Sequence, residues 1–241
     1  MEKVKDLYKA DYPQELFIRN ILAECVENFI TKYMYPYVGS KKRVLDVGCG
    51  KQPFRPILEE LGFHYFGLDY KQNSDGTVDI VTPIDVEFIH QYPQIENFDF
   101  VICTEVLEHV ANWDMAFKNI SKLLKNNGLV LITCPHIYQL HEEPYDFWRP
   151  TPYSIKNFAQ KYDFEIVELV QAGSGWDVLG TILTNYSFYI KSHKLKDRII
   201  FRFFRYAHQW LTKNISNNHL QEKFGIHTSL YLSNLAILKS K

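Results

Sequence analysis

Cysteine is scarce and scattered in this chain: Cys25, Cys49, Cys103 and Cys134 are the whole complement among 241 residues, and no two form a C-x-x-C pair. That spacing excludes a disulfide framework and a cysteine-rich zinc site, and it predicts buried, reduced thiols. Long apolar runs are missing too, so no segment is long enough to span a bilayer. The opening MEKVKDLYKADYPQ carries charges throughout and lacks the apolar stretch of a signal peptide, which leads us to expect a cytoplasmic protein. No sign of charge dominates, with 27 Lys and Arg against 28 Asp and Glu and a net charge of -1, so no nucleic-acid partner is expected. Internal repeats and low-complexity tracts are absent as well.

What remains is an ordinary globular balance, 46% hydrophobic and 23% charged, in a length that suits one α/β domain with an added lobe. From Pro13 to Tyr35, the residues Leu16, Ile18, Ile21, Leu22, Cys25, Val26 and Phe29 recur at helical spacing, predicting an amphipathic leading helix. The period then changes. RVLDVG, HYFGLDY, VDIV, FDFVICT and GLVLITCP are short β-branched and aromatic runs, read as five strands. Between them lie the helix-like PFRPILEELG and NWDMAFKNISKLLKNNG, the latter opening on a cap at Asn112 and closing at Asn127-Gly128. Strands alternating with helices predict a parallel, helix-covered sheet. FEIVELVQAG and SLYLSNLAILKSK add two more strands. The expected organisation is a helical segment over 1–40, a cofactor-binding core over 41–175, a helical inserted lobe over 176–228 and a final core strand over 229–241.

The lobe holds the one strongly basic stretch: Lys191, Lys194, Lys196, Arg198, Arg202, Arg205 and Lys213 against the single acid Asp197. Arg198, Arg202 and Arg205 share one helical face, with Ile200, Phe203, Phe204, Ala207 and Leu211 opposite. Such a helix serves as a lid, a docking face or a membrane-surface contact through 191–213, or packs its apolar stripe on the domain.

Chemistry concentrates at the strand ends. In RVLDVGCG, Gly48 and Gly50 permit a tight turn that a ligand can approach closely, at the carboxyl end of a strand where open parallel sheets bind their ligands. Pro53 stands where a dinucleotide fingerprint has its third glycine, which disfavours a nicotinamide cofactor. Asp69, about twenty residues on, closes the second strand, where a carboxylate can accept both hydroxyls of a ribose.

VLDVGCG, GLDY, FDFVICTEVLEHV and LLKNNGLVLITCPH, in this order and at these separations over Arg43 to His136, resemble the class I S-adenosylmethionine-dependent methyltransferases, and the type 11 methyltransferase-like group in particular. The resemblance implies a Rossmann-like α/β fold: a seven-stranded, mostly parallel sheet with helices on both faces and the last strand antiparallel. It also implies S-adenosyl-L-methionine as cofactor. Asp46, Gly48, Cys49 and Gly50 are then expected at its methionine end, Asp69 at the ribose, Tyr70 beside the adenine, Asp85 as the acid after the third strand, and Thr104 and Glu105 beneath the methionine moiety. Glu105, Glu108 and His109 would share one face of a helix, but no metal is expected there.

Methyl transfer to a hydroxyl needs an aligned acceptor and a base. The stretch after the fifth strand collects His136, His141, Asp146 and Arg149 among aromatic residues: histidines to take a proton, an acid to orient one, and an arginine to grip an anion. His136 or His141 is the expected base, with the choice open. His141 to Thr151, H-E-E-P-Y-D-F-W-R-P-T, is similar to a subgroup encoded among polysaccharide and cell-envelope biosynthesis genes, which implies a sugar, glycan or related hydroxylated small-molecule acceptor. Methylation of nitrogen or carbon and a catalytically silent binding protein are the alternatives.

Overall fold

The computed structural model describes residues 2–8, 10, 15–92, 95, 97–189, 195–215 and 230–241. Three expectations fall partly outside the described residues: the start of the leading helix at 13–14, the basic positions Lys191 and Lys194, and the end of the lobe over 216–228.

Seven strands form one sheet in the order β3-β2-β1-β4-β5-β7-β6: β1 (Arg43–Val47), β2 (His64–Asp69), β3 (Ile80–Val81), β4 (Phe98–Thr104), β5 (Leu124–Pro135), β6 (Phe164–Ala172) and β7 (Ser233–Ser240). The first five run parallel, and β7 lies antiparallel between β5 and β6. The strand order reverses between β1 and β4, which creates a crevice at their carboxyl ends.

The pleat of β1 sends alternate residues to opposite faces, and Val44 to Val47 are all buried. Leu45 and Val47 join a core with Phe117 and Ile120 of α4 (Trp113–Leu123) and Ile155 of α5 (Pro152–Lys161). Val44 packs on the other face with Val26 and Phe29 of α2 (Leu16–Phe29) and Leu58 of α3 (Arg55–Glu60). Helices therefore cover both faces. Complete burial of a side chain such as Phe117 contributes about 1.5–3 kcal/mol, so these two layers hold the β1 and β4 ends rigidly. The α4 cap is as the sequence suggests, with the Asn112 side chain accepting the Met115 N–H at 3.1 Å. The helix ends earlier than expected, at Leu123, because Leu124 is already paired with Phe98 on β4; Asn127, at φ +66°, falls in the bulge that follows.

The leading segment and the lobe meet. In α1 (Glu2–Leu7) and α2 the chain runs over one end of the sheet, and α2 places Phe17, Ile18 and Leu22 against Val178 of α6 (Gly175–Tyr189). The next helix, α7 (Leu195–Ile215), rests on α6 through Phe204, Ala207 and Leu211. Ile200 and Phe203, expected in the same packed stripe, are exposed, because one neighbouring helix covers only a narrow face. Among the described residues no helix is long and apolar enough to cross a membrane.

Candidate active site

The turn after β1 passes through Gly48 and Gly50 at φ +70° and +48°, a region that costs a residue with Cβ about 1 kcal/mol or more. At Gly48 space is also closed, since a Cβ would stand 2.3 Å from Val106 Cγ2. The N–H groups of Gly48 and Cys49 donate to the Leu68 carbonyl at 2.8 and 3.1 Å, and that of Gly50 donates to Asp69 Oδ2 at 2.9 Å. The turn is thus tied to the end of β2. Asp69 is buried there, while Tyr70 is exposed. Asp46 is 2% exposed and accepts the Tyr65 hydroxyl at 2.5 Å. Burial pushes its carboxyl up to about 7, against the opposing Tyr65 hydrogen bond and with added repulsion from Asp69. Burial likewise pushes the Cys49 thiol up to about 12, which leaves it a packing group without thiolate chemistry. Asp85 is engaged elsewhere: its Oδ2 accepts the Asn112 N–H at 3.2 Å and steadies the start of α4.

Past β4 the helical face expected of Glu105, Glu108 and His109 does not form. Glu105 sits at φ +55°, its N–H donating to the Thr133 carbonyl at 3.1 Å, and only a 3-10 turn, Leu107–His109, follows. Glu105 Oε1 accepts the Ser233 hydroxyl at 3.2 Å. Burial pushes its carboxyl up to about 7. Glu108 is wholly buried, and burial together with the neighbouring Glu105 raises its carboxyl well above the ordinary range.

The loop after β5 docks onto this turn. The N–H groups of Phe147 and Trp148 donate to the Glu108 carbonyl at 2.8 and 3.3 Å, and Trp148 Nε1 donates to the Val110 carbonyl at 2.9 Å. Within the loop Arg149 grips Asp146 through two bonds of 2.5 and 2.7 Å and donates to the Gln139 carbonyl at 3.0 Å. Its guanidinium is therefore spent on the loop, and the expected grip on an acceptor anion is not what the geometry provides. Burial alone would raise the Asp146 carboxyl; Arg149 and the His141 N–H overcome that and hold it below the usual value.

These contacts set His141 against His109, with their Nε2 atoms 3.2 Å apart. His136 points elsewhere, its Nδ1 2.9 Å from the Pro150 carbonyl and its ring stacked on Tyr231 at 4.4 Å. Of the four residues expected to be catalytic, His141 alone lines the cavity that opens at the crevice.

That cavity, about 370 Å³, brings Asp46, Gly48 and Cys49 together with Thr104, Glu105, His109, Tyr138 and His141. Gly50, Asp69, Tyr70 and Asp85 lie outside its lining. Its fourth wall comes from the leading segment, through Tyr8, Glu15 and Arg19, with Tyr8 hydrogen-bonded to the Thr104 side chain. No local pattern in the sequence points to these three, since no spacing links residue 8 to residue 104. A volume in the range of small-ligand sites, walled by the Asp46 and Glu105 carboxyls and by a Glu15–Arg19 ion pair at 3.2 Å, suits a small ligand carrying charge of both signs. The methionine end of S-adenosylmethionine, with its ammonium, carboxylate and sulfonium, is such a group, and glycine at position 48 keeps a side chain out of the turn beside it.

Comparison with known proteins agrees. Residues 19–169 match the methyltransferase domain family. The ubiquinone biosynthesis O-methyltransferase of Rickettsia prowazekii is 32% identical over 101 residues, covering 39% of this chain and 40% of that protein. An uncharacterized protein of Methanocaldococcus jannaschii is 29% identical over 168 residues, 66% of this chain and 73% of its own. A SAM dependent methyltransferase from Archaeoglobus fulgidus superposes with a TM-score of 0.54 at 17% identity, over 90% of this chain and 94% of that one. The chain spans about two fifths of the length of the ubiquinone biosynthesis relatives it matches. The fold and the glycine turn define a Rossmann-like methyl-transfer domain. The chain belongs to the class I S-adenosylmethionine-dependent methyltransferases.

Proposed function

We propose that this chain transfers the methyl group of S-adenosylmethionine to a hydroxyl oxygen of a sugar, glycan or related small hydroxylated metabolite, with His141 as the base. One observation carries this reading: His141 lines the same cavity as the β1 turn, Asp46 and Glu105. The name of the Rickettsia prowazekii relative, an O-methyltransferase, favours oxygen. The cofactor supplies an electrophilic methyl on a sulfonium. Asp46 and Glu105 offer carboxyls to its cationic end, Asp69 lies beyond Gly50 to meet the ribose, and Tyr8 and Arg19 close the cavity against water. His141 Nδ1 faces the Gln139 carbonyl and Asp146 Oδ2, both at 3.3 Å, so its proton resides there and Nε2 is left to accept the acceptor's hydroxyl proton. As that O–H bond breaks, the oxygen forms its bond to the methyl carbon and the old carbon–sulfur pair returns to sulfur. The test is S-adenosylhomocysteine release from the full chain over a panel of hydroxylated acceptors; release with amine acceptors only would refute the oxygen assignment.

The exposed stripe on α7 favours a second element, contact with an anionic membrane surface. Ile199, Phe203, Tyr206 and Trp210 stand on one exposed helical line beside exposed Arg202, Arg205 and Lys213, the apolar stripe with a basic flank that interfacial helices carry. Cosedimentation with vesicles containing anionic lipid, lost in Phe203→Ser/Trp210→Ser, is the expected outcome; equal sedimentation of the variant refutes it.

A further inference from the structure

Where the loop meets the 3-10 turn, three donors converge: Glu108 Oε1 lies 3.7 Å from His109 Nε2 and 3.9 Å from His141 Nε2, and the two nitrogens are 3.2 Å apart. The circle through three points so spaced has a radius of about 2.1 Å, the distance at which histidine nitrogen and carboxylate oxygen hold zinc. We propose that Glu108, His109 and His141 form a site for a divalent transition metal of the zinc type. Its role in transfer rests on the reading above, but its existence does not.

The hydrogen bonds around the cluster carry the argument. His109 Nδ1 is 2.8 Å from the Tyr145 carbonyl, and His141 Nδ1 faces the Gln139 carbonyl and Asp146. A carbonyl can only accept, so both rings carry a proton on Nδ1, and their Nε2 atoms stand 3.2 Å apart, each free of that carbonyl partner. This is the arrangement in which metal-binding histidines are usually held, by a carbonyl or a carboxylate on the far nitrogen. Glu108 Oε1, wholly buried, accepts no hydrogen bond among the described residues, and an orphan carboxylate oxygen is costly to bury. Two ring nitrogens and a carboxylate oxygen this close together, with no other donor to the oxygen among the described residues, favour a positive charge among them, either a shared proton or a metal ion. Two histidines and one carboxylate are a borderline donor set that suits zinc and its first-row neighbours better than magnesium or calcium.

The site is also placed to act. His109 and His141 both line the cavity, so the remaining coordination positions face the acceptor. A divalent ion there would occupy the His141 Nε2 lone pair that the reading above gives to the base, and would take over that part by lowering the pKa of a hydroxyl bound to it and favouring its deprotonation at neutral pH.

The competing occupant is a proton shared between the two imidazoles, and direct metal titration separates the two. The full chain, treated with chelator and dialysed, is titrated with Zn²⁺ and with Co²⁺ as a visible-spectrum probe, with no cofactor or acceptor present. One equivalent of either ion is expected to bind, with Co²⁺ giving the d–d bands of a low-coordinate nitrogen and oxygen site. His141→Ala and the isosteric Glu108→Gln should each weaken binding by at least the roughly 10- to 100-fold typical of lost supporting contacts. His64→Ala, an exposed residue on β2, should bind as the parent does, and circular dichroism reports that each variant is folded. Absence of saturable binding, or equal affinity in Glu108→Gln and the parent, overturns the proposal in favour of the shared proton. Calorimetry with S-adenosylmethionine on the same samples tells the two readings apart: cofactor binding without metal binding overturns the metal site alone, and metal binding without cofactor binding overturns the transfer reading alone.

Discussion

The Tyr65 hydroxyl donates to Asp46 across 2.5 Å, tying β2 to β1 at the floor of the cavity. Asp46 is almost fully buried, and burial lifts its carboxyl to about 7 despite that bond. The folded chain therefore keeps a proton that the unfolded chain releases near pH 4, so this group's contribution to stability is full below pH 4 and is lost as pH rises to about 7.

Asp46→Asn removes that dependence. Compared with the variant, the parent should lose roughly 2–4 kcal/mol between pH 4 and pH 7, as read from urea unfolding of both proteins across the window. Parallel stability curves would contradict the burial assignment.

At Gly48 the obstacle is partly steric, so it should be partly reversible. Gly48→Ala is expected to destabilise by about 1–3 kcal/mol through overpacking on Val106, besides the strain of a positive φ. Adding Val106→Ala should recover part of that loss and leave the backbone strain behind. If the second substitution recovers nothing, the Val106 contact is not what excludes a side chain.

Arg149 acts on the loop and so on the position of His141. Breaking its paired contact with Asp146, whose side chain is buried while that of Arg149 is partly exposed, by Arg149→Met should cost about 1–2 kcal/mol in chemical unfolding, since solvent screens one side of the pair. Unchanged stability would return Arg149 to the acceptor-binding role that its sequence context suggested.

His141→Ala should lower kcat by roughly 100-fold or more, the usual worth of a general base, while His136→Ala should change it little. Burial first, and then the neighbouring His109, hold the His141 imidazole below its ordinary value, so the base is unprotonated at neutral pH and activity should fall only on acidification. A large effect of His136→Ala with none from His141→Ala would reverse the assignment.

The sequence made legible whatever depends on near neighbours. The Asp46–Gly50 turn, Asp69 at the end of β2 and the Asn112 cap each rest on a few consecutive residues, and the alternation of strand and helix forces the sheet. What stayed hidden depends on distant backbone. EVLEH reads as a helix, but the Thr133 carbonyl draws in the Glu105 N–H and the turn is tightened. His136 and His141 look equivalent by composition; only the Pro150 carbonyl, Tyr231 and the docking of the loop on the Glu108 carbonyl separate them. The cavity wall from Tyr8 to Arg19 arises from how α1 and α2 pass over the β1 and β4 ends, which no local pattern records.

The most direct test of the account is calorimetric titration of the full chain with S-adenosylmethionine and, separately, NAD. It predicts saturable binding of S-adenosylmethionine, none of NAD, and an affinity at least about tenfold lower (1.4 kcal/mol) in Asp69→Ala. No binding of S-adenosylmethionine, or tighter binding of NAD, would contradict it.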